Sequence, residues 1–482
     1  MRLTDHDASF LYAETASAPM HGASIAVVEG EIDFDAFKAH IASRLHLIPR
    51  YRQRLAFVPF NIAHPKWVED PAFDLDHHVR HHALPAGSTL EDAIEAGMKL
   101  NEALLSRERP LWKFYLISGV PELTVLFCLG HHAMVDGASG IDISLVLFDL
   151  QASPKPLPPP EKPWQPAAMP SPMELATEAA RETADRWAGQ AQQRGNTSER
   201  AELLRRAAES MTRFLSEPVL TAPWNRAMVG PRRLFAWRKL SFASFRDIRR
   251  VFGGTVNDVV LALVTEAAAR YLVAHNERTE GQHLRIMVPV SVRREDEHGA
   301  LGNRVSGIFP VFDAKSLTAV ERLKKVRWET EHIKQQREAQ AMELMMETMP
   351  AFPPVTMAPT LLVGTPMDPT ALAARFPLPV PPEFAPRLPM VGYNFTCTNV
   401  PGVQTTQYLL GHPIRDTLAV LMLSGNVGYG VAVVSYNQNL YFNLVSDPRV
   451  MPDIEGMADG IVQVFEELYS AAKVADAEDA AA

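Results

Sequence analysis

Two hydrophobic periodicities divide this chain. Residues 22–29, 112–118 and 123–130 are apolar runs of strand length. In the last of them both alternating sets, Val125/Phe127/Leu129 and Leu126/Cys128, are hydrophobic, which predicts a strand buried on both faces. Between these runs, Phe34, Phe37, Ile41, Leu45 and Ile48 recur three and four apart, the spacing of a helix face, with Asp33 as N-cap and Pro49 as terminator. Leu90 to Leu105 repeats that helical pattern. The same alternation returns later. Strands are predicted at Leu234–Leu240, Leu284–Val290, Val305–Phe312, Gly392–Gly402, Leu418–Leu423, Gly430–Tyr436 and Leu440–Val445, the last two joined by an Asn437-Gln438-Asn439 turn. Helices are predicted at Ser244–Val251, Val259–Tyr271, Leu317–Met349 and Pro452–Ala471. The pattern is that of a mixed α/β protein.

Breaks in the pattern suggest its organisation. A chain of 482 residues exceeds what one hydrophobic core usually serves, so two domains are expected. Nine prolines fall within residues 154–172, an extended linker composition, and an Ala/Glu/Arg-rich helical pattern follows to residue 217. We therefore assign residues 1–153 to a first domain, 154–230 to a crossover, 231–474 to a second domain and 475–482 to a disordered tail. Residues 341–390 combine methionines, phenylalanines and many prolines. That mixture is too apolar for a solvated linker and suits either domain wrapping or the lining of an apolar entrance.

Composition narrows the function classes. Hydrophobic residues make up 47% and charged residues 21%, as in an ordinary globular enzyme, and a formal charge of −9 gives no support to nucleic-acid binding. The two cysteines, Cys128 and Cys397, lie in apolar runs and are expected as reduced core thiols. No secretory leader or stretch of transmembrane length is apparent. A cytoplasmic protein is expected, meeting membranes at their surface if at all. His77, His78, His81 and His82 are metal-ligand residue types, but they read as a strand segment without further ligands at suitable spacing, so no metal is expected. Oligomeric state leaves no signal.

The chemistry-bearing stretch is His131-His132-Ala-Met-Val-Asp136-Gly137, directly after the doubly buried strand. Imidazole titrates near neutrality and can take a proton from an alcohol or thiol at working pH. Asp136, four residues on, is placed to hold the loop, and Gly137 lets the backbone turn. This motif resembles the active-site signature of the bacterial wax ester synthase/acyl-CoA:diacylglycerol acyltransferases. These belong to the His-His-x-x-x-Asp superfamily that includes chloramphenicol acetyltransferase and peptide-synthetase condensation domains. Further similarities fall in order: the opening Leu3 to Phe10, Pro110-Leu111-Trp112, Asn257-Asp258, Gly302-Asn303 and Asn399-Val-Pro-Gly402. Thr398 and Val403 depart from the family's usual serine and proline.

The resemblance implies two chloramphenicol-acetyltransferase-like domains with a channel between them. It implies O-acyl transfer from acyl-CoA to a long-chain alcohol or diacylglycerol, with no permanently bound cofactor. His132 is then the general base, His131 a supporting residue and Asp136 structural. Asn257, Asp258, Thr398 and Asn399 are candidates for the substrate and oxyanion wall. Arg293, with Arg304 as second choice, is expected to pair with Asp136, and Pro110, Leu111, Trp112, Gly302 and Asn303 to support the site. The alternatives are a related enzyme acting on a polyketide or glycolipid hydroxyl, and a non-catalytic neutral-lipid-binding protein. The absence of a Gly-x-Ser-x-Gly elbow argues against a serine acyl-enzyme.

Overall fold

The computed structural model describes residues 1–134, 144–155, 157–192, 202–203, 205–210, 219–228, 230–291, 305–337, 339–341 and 392–481. The first part contributes helix α1 (Asp5–Ala13), strand β1 (His21–Glu29), α2 (Phe34–Arg44), β2 (Gln53–Ala56), β3 (Lys66–Glu69), α3 (Leu75–His78), β4 (Val79–Ala83), α4 (Leu90–Leu100), β5 (Trp112–Ser118) and β6 (Leu123–His131). After the proline-rich stretch come α5 (Pro172–Gln192), β7 (Leu234–Ser241), α6 (Phe242–Phe252), α7 (Val256–Ala274), β8 (His283–Ser291), β9 (Val305–Ile308), β10 (Val311–Asp313) and α8 (Ala319–Gln336). The chain closes with β11 (Phe395–Val400), β12 (Tyr408–Leu409), β13 (His412–Val420), β14 (Tyr429–Tyr436), β15 (Asn439–Ser446) and α9 (Ile454–Ala481).

The strands form two large mixed sheets, ordered β12-β13-β1-β6-β5-β4 and β10-β8-β11-β14-β15-β7, each with its own core. Helices α1, α2 and α4 contribute buried residues to the first core. Helices α6, α7 and α9 cover the second. Strand β6 is paired on both edges, to β1 and to β5, and Val125, Leu126 and Phe127 are fully buried. Gly97 of α4 brings the helix so close that a Cβ there would meet the Phe127 ring at 2.2 Å.

Strands β12 and β13 lie beyond residue 400, yet they complete the first sheet, with Ala23 of β1 opposite Val420 of β13. The next residues cross to the second sheet. Gly430 of β14 lacks a side chain where Leu421 and Leu423 lie, since a Cβ there would meet their Cδ2 atoms at 2.5 and 3.4 Å. Hydrophobic periodicity places a strand at Leu418–Leu423, which overlaps only the end of β13 and misses β12, and it carries no sign of which sheet they join, because backbone pairing partners are set by tertiary packing.

Several element ends differ from the periodicity. Helix α2 stops at Arg44 and passes into 3-10 turns, since Pro49 removes a donor and restricts the residue before it. Helix α9 continues to Ala481 where a disordered tail was expected. Its last turns are rich in alanine, a strong helix former, and Asp476 pairs with Arg250 of α6 at 2.5 Å. The Asn437-Gln438 turn has positive φ at both residues (45° and 61°), the tight hairpin geometry between β14 and β15. No single helix among the described residues is long and apolar enough to cross a membrane.

A Gly→Ala change inside a helix usually stabilises by about 0.5–1 kcal/mol. At Gly97 the overpacking against Phe127 costs roughly 1–3 kcal/mol and outweighs that gain. Gly97→Ala is expected to lower the denaturation midpoint in urea. An unchanged or raised midpoint would contradict this account of how α4 seats on β6.

Candidate active site

The reactive end of β6 is built from backbone outward. His131 is the last residue of the strand, opposite His21 of β1, and its N–H donates to the Leu111 carbonyl at 2.9 Å. The chain then turns. The His132 N–H donates to the Met20 carbonyl at 2.9 Å and the Met134 N–H to the His131 carbonyl at 2.8 Å. The two rings differ in their surroundings. His131 is buried, whereas His132 keeps partial exposure and stacks on Phe10 of α1 with ring centroids 4.2 Å apart.

The Ala133 N–H donates to Nδ1 of His131 at 3.1 Å. That bond requires a lone pair on Nδ1, so in the neutral ring the proton sits on Nε2. Nε2 in turn faces Oε1 of Glu14 at 3.3 Å. Glu14, the C-cap of α1, also accepts the Met20 N–H on Oε1 at 3.2 Å and Arg107 Nη2 on Oε2 at 3.0 Å. Burial by itself would raise the Glu14 carboxyl. Hydrogen bonding and charge from His131, together with Arg107 and the Met20 amide, win and hold it down to about 2. His21 lies beside this group with Nε2 bonded to the Asn101 carbonyl at 2.8 Å, and burial lowers its pKa despite that bond.

The tryptophan motif supports this arrangement from behind. Trp112 is fully buried, donates Nε1–H to the Tyr51 carbonyl at 2.8 Å and stacks on His78. The Pro110 carbonyl accepts the Trp112 N–H, while Leu111 supplies the carbonyl that holds His131. His78 itself bonds the Trp112 carbonyl through Nδ1 at 2.8 Å, and burial pushes its pKa down to about 4. His81 contacts the Ser118 hydroxyl. Among the described residues, no group of three or more His, Cys, Asp or Glu side chains is placed to hold a metal. Both cysteines are free thiols, and burial pushes each up to about 12, which leaves no ready thiolate nucleophile.

In the second half, Asn257 and Asp258 separate in role. Thr255 caps α7, and its side chain and that of Asp258 form a reciprocal capping box. Asp258 is buried and also accepts the Thr330 hydroxyl at 2.7 Å, so its carboxylate is committed to structure. Asn257 instead meets Asn399 of β11, with Nδ2 of Asn399 3.5 Å from its Oδ1. Thr398 stands next to this pair in the chain and is half-buried. Asp136, Gly137, Arg293, Arg304, Gly302 and Asn303 lie outside the described residues, as does the stretch 342–390. Sequence reasoning missed Glu14, Arg107, Met20 and His21. The one available signal was a carboxylate closing an otherwise apolar helix end, Phe10-Leu-Tyr-Ala-Glu14.

Two mixed sheets, the first completed by strands from beyond residue 400, with a histidine turn at the end of a buried strand, form a fold of the chloramphenicol-acetyltransferase-like class. Residues 3–260 match the wax ester synthase/diacylglycerol acyltransferase catalytic domain, and residues 301–469 match the C-terminal domain of the same enzymes. The chain belongs to the wax ester synthase/diacylglycerol acyltransferase family, and it is an acyl-CoA-dependent acyltransferase forming wax esters and/or triacylglycerol. It is 28% identical over 485 residues to the probable diacylglycerol O-acyltransferase tgs1 of Mycobacterium tuberculosis, covering 98% of this chain and 96% of that one. The fold is similar to that of the wax ester synthase/diacylglycerol acyltransferase from Marinobacter aquaeolei VT8, with a TM-score of 0.65 at 23% identity, covering 98% of this chain and 100% of that one. It is also similar to the starter condensation domain of rhizomide synthetase RzmA, solved with C8-CoA and Leu-SNAC, with a TM-score of 0.58 at 14% identity over 98% of this chain and 94% of that one.

The Glu14 carboxyl is depressed in the folded state from an ordinary value of 4.5 to about 2. Its contribution to stability is therefore present above about pH 4.5 and is lost as pH falls toward 2. The gap in melting temperature between wild type and Glu14→Gln is expected to narrow steadily across that window. A gap independent of pH there would show that the carboxylate is not held in its charged form.

Proposed function

We propose that His132 is the general base of direct acyl transfer, with no covalent acyl-enzyme and no bound cofactor. His132 takes the hydroxyl proton of a long-chain alcohol or diacylglycerol as the oxygen attacks the thioester carbonyl of acyl-CoA. A C–O bond forms, the tetrahedral intermediate collapses with breakage of the C–S bond, and the protonated imidazole returns the proton to the departing thiolate. Acid–base help of this kind is worth roughly 10²–10⁴ in rate. The observation that carries the reading is the contrast between the two rings. His131 is buried and holds the turn through Nδ1, while His132 alone keeps exposure at the end of β6.

Donors for the developing oxyanion are assigned to Asn257 and the Thr398 hydroxyl. The Asn257–Asn399 contact supports this by holding Asn257 at the start of α7 against β11. Phe10, against His132, and the partly buried Leu421 and Met422, which pack on the same core, supply apolar surface suited to hydrocarbon substrates. Pockets of this kind discriminate weakly among chain lengths, so acceptor breadth is expected.

Purified protein with palmitoyl-CoA and hexadecanol, or with diacylglycerol, is expected to release CoA. His132→Ala should reduce the rate by at least about 100-fold while palmitoyl-CoA still binds. Turnover within a few-fold of wild type in that variant would sink the base assignment. We further assign contact with membrane or lipid-inclusion surfaces to the loop carrying Phe57, Phe60 and Ile62, where Phe60 is 93% exposed. Phe60→Ser should weaken co-flotation with phosphatidylcholine/triolein vesicles without slowing transfer to a short, water-soluble alcohol, and unaltered flotation would refute that contact.

A further inference from the structure

We propose that Glu14 is a positioning residue for acyl transfer, setting through His131 and Met20 the direction in which the turn presents the His132 imidazole. The proposal rests on His132 being the base. Two hydrogen-bond donors and one ion-pair contact converge on this carboxylate: the Met20 N–H on Oε1, Arg107 Nη2 on Oε2, and His131 Nε2 at 3.3 Å from Oε1. Each contact reaches the reactive turn by a short route. Met20, held through its N–H, gives its carbonyl to the His132 N–H. His131, held through Nε2, accepts the Ala133 N–H on Nδ1. The residues on both sides of the His132 peptide are thus tied to the same carboxylate.

The helix that delivers Glu14 also delivers the ring against His132. Phe10 lies one turn earlier, and its carbonyl accepts the Glu14 N–H at 3.1 Å. Arg107 closes the unit by donating from Nη2 both to the Glu14 carboxylate and to the Leu11 carbonyl at 2.7 Å, one of the carbonyls left open at the end of α1. A shift of α1 therefore moves the Phe10 ring, the His131 ring and the Met20 carbonyl together. Glu14 is buried and contacts the supports of the turn, which makes its action indirect.

The glutamine variant is the discriminating change because it keeps size and removes one acceptor. An amide has one oxygen to offer donors arriving from two directions, so either Arg107 or the His131/Met20 pair loses its acceptor and meets an NH₂ group. Misplacement of a reacting group by about 1 Å can cost on the order of 100-fold in rate. For Glu14→Gln we expect kcat to fall roughly 10- to 100-fold, with KM for palmitoyl-CoA within about 3-fold, at a temperature where melting curves show the variant folded. A double variant with His132→Ala should be no slower than His132→Ala alone, since both changes remove the same contribution. If Glu14→Gln does not fold, Arg107→Gln, which leaves the His131 and Met20 contacts in place, should lower kcat by several-fold at unchanged KM.

The results separate the two claims. His132→Ala inactive with Glu14→Gln near wild-type kcat overturns the positioning role and leaves the base intact. His132→Ala active overturns the base, and the positioning role with it. Losses that multiply in the double variant, or that follow the unfolded fraction, reduce Glu14 to ordinary stabilisation and also overturn the proposal, as does an Arg107→Gln enzyme with unaltered kcat.

Discussion

Strand β1 is hydrogen-bonded along one edge to β6, which ends in the histidines, and along the other to β13, which arrives from beyond residue 400. The whole arrangement depends on that shared strand. Without β13 the edge of β1 would expose unpaired backbone groups, a costly and aggregation-prone state. With it, the C-terminal segment enters the first sheet and leaves at Val420 toward Gly430 in the second. The two halves are therefore tied together near the end of the sheet where His131 sits. Arg233, which precedes β7, adds a second tie by donating to the Ser17 carbonyl at 2.7 Å, in the loop that leads to Met20.

A junction of this kind has to bury polar groups, and the Glu14 carboxylate is held there by the Met20 amide and Arg107. An unpaired carboxylate at the position of Glu14 would cost several kcal/mol or become protonated. Here Arg107, His131 and the Met20 amide keep it charged. Met20 and His131 contact this carboxylate and also belong to the strand pairing and turn that carry His132, so electrostatics and strand pairing act on the same few residues. The second half uses a similar device away from the site. Glu266 of α7 accepts Arg322 Nε at 2.9 Å with both side chains fully buried, which locks α7 to α8. Helix α7 starts at the Asn257–Asn399 contact, so its orientation bears on the proposed oxyanion wall.

The site was partly legible. The His131-His132 pair stands out because a doubly apolar strand ends in it, and Pro110-Leu111-Trp112 stands out as a motif. Its supporting role was legible, while the atoms that carry it were not: Leu111 acts through a carbonyl, and Trp112 through burial against His78 and Tyr51. Capping alone could explain both Asn257 and Asp258 along the chain, yet the structure turns only Asp258 back onto the helix N-terminus and leaves Asn257 facing β11. Glu14 was passed over because one acidic residue at a helix end reads as solvated surface. Its burial depends on Arg107 and His131, which are separated from it by about a hundred residues and converge on it only when the sheet is assembled.

Periodicity, proline placement and the histidine motif, all local in the chain, determined many of the strands and helices and pointed to the kind of chemistry. Those properties follow from which side chains avoid water and which can carry a proton near neutrality. The tertiary structure decided which sheet β13 joins, which of two adjacent histidines is sealed and which is exposed, and which carboxylate holds the turn. Each of those depends on contacts between residues far apart in the chain, and no local pattern of hydrophobic and polar positions encodes them.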